Sequence, residues 1–419
     1  MKILWVLNMM LPDAAQAIQK TTSTSGTWLL DYVNSIKCDG DIQLATMTYA
    51  AVPEKQVVTV DGIKHYVFPG GGKKLLFSSK QTERDCQWVI DDFQPDIIHL
   101  HGTEYAMAKA MVDLQPQQPI LLTIQGILTR ISKAYRAGMS VGELIECSTP
   151  KQWLRMKTYF AMEKLYRRNA KRERYVLQRV DRVTGRVDWD KAVMLSINPK
   201  LKYDRLNYNV PPVYYDAEKW DIDKIEPHSI YTGSATYPLK GLHILIRALE
   251  LVKVQYPDVK LYVPGNNTSY KASNGYERYI RRMINKAGLQ ENVIFTGRRT
   301  PAQIIELLQK ANICVLPSAM EGASATVREA MMIGTPSICA FRGGMVDLIQ
   351  DKTNGFCYDF PEYPVLADRI CRLFVDTELC KQFSIRAIED AEERHARQKN
   401  YTMLKNIYAD MCKGGSENA

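Results

Sequence analysis

The stretch that most constrains this 419-residue chain is ICVLPSAMEGASATVREAMMIGTPSICAFRGGMVDLI, from Ile313 to Ile349. Ile313 to Leu316 is an unbroken apolar run, as expected of a strand buried in a parallel sheet. Pro317-Ser318 ends it, and a loop from Ala319 to Ala323 follows. Ser324 to Ile333 reads as a helix that Gly334-Thr335-Pro336 stops. Pro336 to Phe341 reads as the next strand, and Gly343-Gly344 turns the chain into another short helix. Strand, loop, helix, strand is the rhythm of an α/β fold.

The loop between the first strand and the helix has the chemistry of a binding site. A helix start offers unpaired amides and a positive dipole end, which suit phosphate. Gly322, Ala323, Ser324 and Ala325 are small enough for a ligand to approach the backbone. Glu321 in the loop and Glu329 in the helix supply two carboxylates that can accept hydrogen bonds from sugar and ribose hydroxyls. A blander reading stays open. Thr326 to Glu329 fits a capping box, so Glu329 would only tie down the helix start, and Glu321 would be a solvated loop residue.

The length exceeds one ordinary core, so two domains are expected. The apolar share of 46% and charged share of 24% are ordinary globular values. The nine cysteines are scattered, odd in number and without a CxxC pair. They read as buried thiols of a reduced cytoplasmic chain, not as a disulfide framework or a zinc site. The N-terminal MKILWVLNMM reads as a first strand, and no run reaches transmembrane length. The net charge of +9 permits an anionic partner. HExxH, P-loop and post-strand GxGxxG motifs are absent, which disfavours zinc protease, P-loop NTPase and dehydrogenase chemistry.

Strand and helix alternate through both halves. In the first, strands fall at Lys2 to Leu7, Ile42 to Tyr49, Val57 to Phe68 (turning at Asp61-Gly62), Asp96 to Leu100 and Ile120 to Ile124. Pro12 to Ser25 reads as a polar loop, and Gln152 to Arg179 as one long helical stretch. Tyr203 to Glu226 reads as the linker. Strands resume at Ile230, Val259, Val293, Ile313 and Ser337. From Lys164 to Arg186, nine basic residues stand against Glu173 and Asp181. They form either a solvated helix face or a surface for anionic lipid or a phosphorylated acceptor. No nucleic-acid module accompanies them, so nucleic acid is not expected as a partner. Three Asp-x-Asp triplets (Asp39-Asp41, Asp188-Asp190, Asp221-Asp223) follow no clear strand and read as structural.

Glu321-Gly322, Glu329-Ala330-Met331, Gly334-Thr335-Pro336 and Gly343-Gly344 together resemble the E-x7-E region of retaining GT-B glycosyltransferases, in particular glycosyltransferase family four (glycosyl transferases group 1). Ala323-Ser324, where the family often has Phe-Gly, is similar to its polysaccharide-assembly members. The resemblance implies a GT-B fold, two Rossmann-like doubly wound domains facing a cleft. Residues 1–215 would bind acceptor and residues 216–395 nucleotide-sugar, with a final helix in 396–419 crossing back to the first domain. It implies retaining transfer of a sugar from a nucleotide-sugar to a saccharide acceptor, lipid-linked and in cell-surface polysaccharide assembly.

The same resemblance assigns residues. Lys240, in YTGSATYPLKGL, matches the family Lys on the donor diphosphate, while Ser234 stands where the family has an Arg. Glu321 would hold sugar hydroxyls, and His101 matches a His that faces the donor sugar. Gly322, Ala323, Ser324, Ala325 and Glu329 would line the donor site, Gly265 and Arg298 would edge the nucleotide pocket, and Gly26 would belong to a Gly-rich loop beside the phosphates. Gln125 and Arg186 fall on the acceptor side, Arg186 within a run similar to Gly-Arg-Thr-x-Trp-Asp. No cofactor or metal is expected. The expected location is cytoplasmic, peripheral on an anionic membrane surface. A nucleotide-sugar 2-epimerase and an inactive sugar-nucleotide or glycan-binding protein remain alternatives, the latter because of Ser234.

Overall fold

The computed structural model describes residues 1–20, 27–70, 79–233, 235–265 and 274–415. Two compact units emerge: residues 1–129, 168–211 and 395–419, and residues 130–167 and 212–394.

The first unit is built on eight strands: β1 (Lys2–Leu7), β2 (Gln43–Ala50), β3 (Gln56–Val60), β4 (Ile63–Pro69), β5 (Ile97–His101), β6 (Ile120–Thr123), β7 (Arg182–Gly185) and β8 (Lys202–Arg205). They lie in the order β3-β4-β2-β1-β5-β6-β7-β8. All pairs are parallel except β3–β4, a hairpin whose Asp61 and Gly62 both have positive φ, the two-residue turn that suits strand twist. The strands at the centre, β1 and β5, are apolar apart from Lys2, His99 and His101 and are buried on both faces, as parallel strands covered by helices must be. At the edge, β8 is Lys-Tyr-Asp-Arg, and its charges suit an open edge.

The second unit holds six parallel strands: β9 (Glu226–Tyr231), β10 (Lys260–Pro264), β11 (Val293–Gly297), β12 (Ala311–Leu316), β13 (Ser337–Ala340) and β14 (Gly355–Tyr358), ordered β11-β10-β9-β12-β13-β14.

Several expectations need correcting. Pro12–Ala17 is a helix, not a loop: Pro12 sits in its first turn, where a missing N–H costs nothing, and Ala14 and Ala15 are buried. The expected long helix is two, Pro150–Leu154 and Tyr159–Leu177. Met156 turns left-handed between them, and the Thr158 hydroxyl accepts from the Ala161 N–H to start the second. The expected linker begins inside β8 and ends on the first residue of β9. Residues 130–167, expected in the first domain, pack with the second unit. Glu143 pairs with Arg247 at 2.6 Å and accepts from Tyr279 at 2.7 Å, and His243 Nε2 lies 2.9 Å from the Ala137 carbonyl. The final helix, Arg397–Gly415, packs within the first unit.

That helix is joined to the first sheet by a buried polar chain. Trp5 Nε1 donates to the Tyr408 hydroxyl at 2.8 Å, which lies 2.7 Å from His99 Nδ1. His99 Nε2 lies 2.6 Å from Thr123 Oγ1, itself 2.6 Å from Thr184 Oγ1. Because an indole only donates, the Tyr408 oxygen accepts from it and its own proton is available for His99. Burial holds the His99 imidazole well below its usual pKa, so the ring is neutral and can accept at one nitrogen and donate at the other.

Tyr408→Phe removes the joint of this chain and orphans both Trp5 Nε1 and one His99 nitrogen. A stability loss of about 2–6 kcal/mol is expected, at about 1–3 per orphaned group. Urea unfolding checks it; an unchanged midpoint would show that the chain contributes nothing.

Candidate active site

In an open α/β sheet, ligands bind beyond the carboxyl ends of the strands, where the strand order reverses. In the second unit that point lies between β9 and β12. The loops leaving these two strands carry Lys240 and Glu321, and glycines bring them together. Gly241 has φ +74, and a Cβ there would lie 1.7 Å from the Pro317 carbonyl oxygen. Only glycine permits that approach. The Ala319 N–H then donates to the Leu239 carbonyl at 2.9 Å. From the far side, the Gly344 N–H donates to the Glu321 carbonyl at 3.0 Å, and a Cβ on Gly343 would lie 2.0 Å from the same oxygen.

So held, Lys240 Nζ meets Glu321 Oε1 at 2.6 Å. Burial presses against the lysine's charge, but Glu321 beside it more than offsets this and lifts the lysine above its usual range.

The helix after Glu321 is Ala325–Ile333, with Ser324 at its N-cap and no side chain capping it. The first amides of this helix are therefore left for a ligand or solvent. The Thr326–Glu329 capping box does not form: Glu329 lies a turn inside the helix, too deep to reach the N-cap amide. Its half-buried carboxyl is enclosed by protein, and burial pushes it up to about 7, with Arg328 and the Tyr214 hydroxyl acting the other way. Gly322 is partly exposed, Ala323 and Ser324 are buried and Ala325 is exposed. A Cβ on Gly233, in the loop after β9, would lie 2.5 Å from Thr326 Oγ1, so that loop touches the helix start. The loops after β10 and β11 join where the Gly265 N–H donates to the Gly297 carbonyl at 2.9 Å; Arg298 follows, exposed. Ser234 and Gly26 lie outside the described residues.

The reversal point of the first sheet lies between β1 and β5, and His101 ends β5. It is 3% exposed, bedded against Trp5 at 4.8 Å, His99 at 4.0 Å and Trp28 at 5.9 Å. Neither ring nitrogen meets a partner among the described residues, and burial lowers its pKa to about 3. Such an imidazole is neutral and a poor base at neutral pH. Gln125 Nε2 donates to the His101 carbonyl at 3.2 Å, and Arg186 donates to the Gln125 carbonyl at 2.6 Å. The three residues form a row along the ends of β5, β6 and β7. Burial works against the Arg186 charge, and Asp190 beside it at 3.4 Å more than offsets this.

Sequence reasoning missed three neighbours. Glu104 accepts from Asn8 Nδ2 at 2.9 Å and from the Gly126 N–H at 2.7 Å, and burial raises its carboxyl. Tyr237 and Tyr214 face Lys240 and Glu329. The run HGTEY hinted at Glu104, since it directly follows the β5 end; nothing local marks the two tyrosines. Five of the six Asp-x-Asp carboxylates pair with cations of their own surroundings: Asp39 and Asp41 with Lys405, Asp188 with Arg205, Asp190 with Arg186 and Asp221 with Lys224.

The raised Glu329 carboxyl has a pH consequence. Between the unfolded value of about 4.5 and the folded value of about 7, the folded chain binds more protons, so this group lowers stability as pH rises through that window. Glu329→Gln removes the titration. Relative to the parent, the variant should gain stability between pH 5 and pH 8 in urea unfolding; a constant difference would refute the raised carboxyl.

Residues 216–390 match a family model described as Glycosyl transferases group 1. The chain is 24% identical over 242 residues to poly(ribitol-phosphate) alpha-N-acetylglucosaminyltransferase of Staphylococcus aureus (strain COL), covering 57% of this chain and 46% of that protein. It spans less than half the length of each of several curated relatives that it matches. Sucrose-phosphate synthase from Thermosynechococcus elongatus superposes with a TM-score of 0.73 at 14% identity, over 99% of both chains. Anabaena HepE, solved in complex with UDP-glucose, gives 0.68 at 17%, over 98% of this chain and 99% of that one. The chain thus has the GT-B fold of two Rossmann-like units, and residues 216–390 carry the glycosyl transferases group 1 match.

Proposed function

We propose that the chain transfers a sugar from a nucleotide-sugar to a hydroxyl of a saccharide acceptor, with retention of anomeric configuration. One observation carries this reading most: the 2.6 Å Lys240–Glu321 pair at the strand-order reversal, beside an uncapped helix start and Glu329. Lysine and helix amides suit a diphosphate, and the carboxylates suit hydroxyls. Uridine diphosphate sugars are the first donors to test, since HepE was solved with UDP-glucose.

In this reading Glu329 takes the ribose hydroxyls and Glu321 those of the sugar. The arriving diphosphate draws Lys240 from Glu321, freeing that carboxylate for the sugar at the same moment. The lysine and the amides of residues 322–325 then stabilise the charge that grows on the leaving diphosphate. Glu321 positions the sugar, and the front-face route needs no enzyme nucleophile. His101, neutral and bedded in aromatic rings, takes no proton. The leaving phosphate accepts the acceptor proton on the same face, so configuration is kept. Gln125 and Arg186 serve the acceptor, which we take to be lipid-linked. The charge stabilisation is assigned to the chain's own groups, without a metal.

Lys240→Ala should lower kcat by at least about tenfold, since a hydrogen bond to a charged group contributes about 1.5–3 kcal/mol. Glu329→Ala should weaken nucleotide binding by a similar factor. Titration calorimetry beside initial rates separates the two, and unchanged nucleotide affinity in Glu329→Ala would remove that residue from the donor site.

Proton NMR of the new anomeric centre tests the stereochemistry: an α-linked donor should give an α-linked product, with activity surviving EDTA. A β-linked product would overturn the front-face mechanism, and loss with EDTA restored by Mn²⁺ would overturn the metal-free one.

A further inference from the structure

Of the nine basic residues in residues 164–186, three turn inward. Arg172 donates to the Thr103 and Glu104 carbonyls, Arg182 binds Asp204 and Asp410, and Arg186 binds Gln125 and Asp190. The exposed ones on the Tyr159–Leu177 helix, Lys164, Arg167, Arg168, Lys171 and Arg174, recur three or four positions apart and share a face. Just before this stripe lies a feature the charge count did not reveal.

Among the described residues fifteen large apolar side chains are exposed, and five of them (Val141, Ile145, Trp153, Leu154 and Met156) fall within residues 141–156. Scattered exposure is normal on any surface; this concentration is not. Leu154 is 87% exposed, Met156 81% and Trp153 48%. Lys151, Arg155 and Lys157 are interleaved with them, all exposed and none in an ion pair among the described residues. The acidic residues of the segment are turned to other cations: Glu143 to Arg247, Glu146 to Arg282, and Glu163 to Arg136 and Arg167.

The apolar tips stand on a built support. Thr149 and Gln152 close a capping box around Pro150–Leu154. Met156 sits at φ +50, an uncommon conformation for a side chain of its size, and the Lys157 N–H returns to the Gln152 carbonyl at 2.8 Å. Beneath, the Cys147 carbonyl and the Gln152 side chain rest against Gly275, where a Cβ would lie 1.7 and 2.9 Å from them. A turn fixed in advance loses little freedom on binding.

We propose that residues 150–157 are a docking knuckle for an anionic lipid surface, with Trp153, Leu154 and Met156 entering the headgroup boundary and Lys151, Arg155 and Lys157 meeting lipid phosphates. Tryptophan and aliphatic tips ringed by lysine and arginine match the layered chemistry of that interface. A second copy would present the same positive ring and be repelled. The proposal stands apart from the transfer reading, because it is tested without any sugar nucleotide.

The full chain should sediment with phosphatidylcholine vesicles containing phosphatidylglycerol at least about tenfold more than with phosphatidylcholine alone, and high salt should release it. Brominated lipid should quench its tryptophan fluorescence, and Trp153→Phe should remove that quenching. Replacing Trp153, Leu154 and Met156 together by Ser leaves every charge in place. It should cut vesicle binding about tenfold while thermal unfolding stays unchanged. Unaltered sedimentation of this variant, no low-salt binding by the parent, or a parent dimer that the variant abolishes would each overturn the proposal.

Discussion

The candidate site depends on a backbone approach. The Gly241 α-carbon and the Pro317 carbonyl come so close that no side chain fits at position 241. That contact locks the loop leaving β9 onto the loop leaving β12 and sets Lys240 against Glu321. Gly343 and Gly344 fix the Glu321 backbone from the other side. The ion pair is thus a result of main-chain packing. Burial works against the lysine's charge, and the carboxylate within hydrogen-bond reach more than offsets it. A charge kept ready in a low-dielectric recess is what a departing diphosphate needs.

The first unit handles buried polarity differently. Its central strands carry two histidines, and both are neutral. His99 is satisfied within the Trp5–Tyr408–Thr123 chain and so serves the fold. His101, two residues on and on the same face of the strand, has aromatic rings around it and no partner among the described residues. One position stabilises, and the next on that face leaves its polar atoms unspent at the strand end. Glu173 shows the cost of burying charge. It accepts from the Leu128 and Thr129 amides at 2.8 Å each, yet burial still raises it to about 7.

Residues 130–167 pack with the second unit through partners about a hundred positions away in sequence, such as Arg247 and His243. The ion pairs that hold this segment also absorb its acids, which leaves its outer turn positive. One set of contacts therefore both anchors the segment and decides the charge it presents.

The alternation of apolar runs with helical stretches already implied two α/β units, because a parallel strand buried on both faces must be apolar throughout. The Asp61-Gly62 turn was legible too, since its geometry depends on two adjacent residues. So were Lys240, Glu321 and Glu329 as candidates, because strand end, small-residue loop and helix start follow one another along the chain. Short polar strands such as β8 escaped, since an edge strand needs no hydrophobic signature. The left-handed turn at Met156 escaped because nothing in its own side chain demands it. Whether Glu329 capped its helix, whether Lys240 reached Glu321 and which unit held residues 130–167 all depend on atoms far apart in sequence. Local order fixes which backbone groups begin and end each element. Only the tertiary structure decides which of those ends meet, because their meeting is set by the packing of whole sheets.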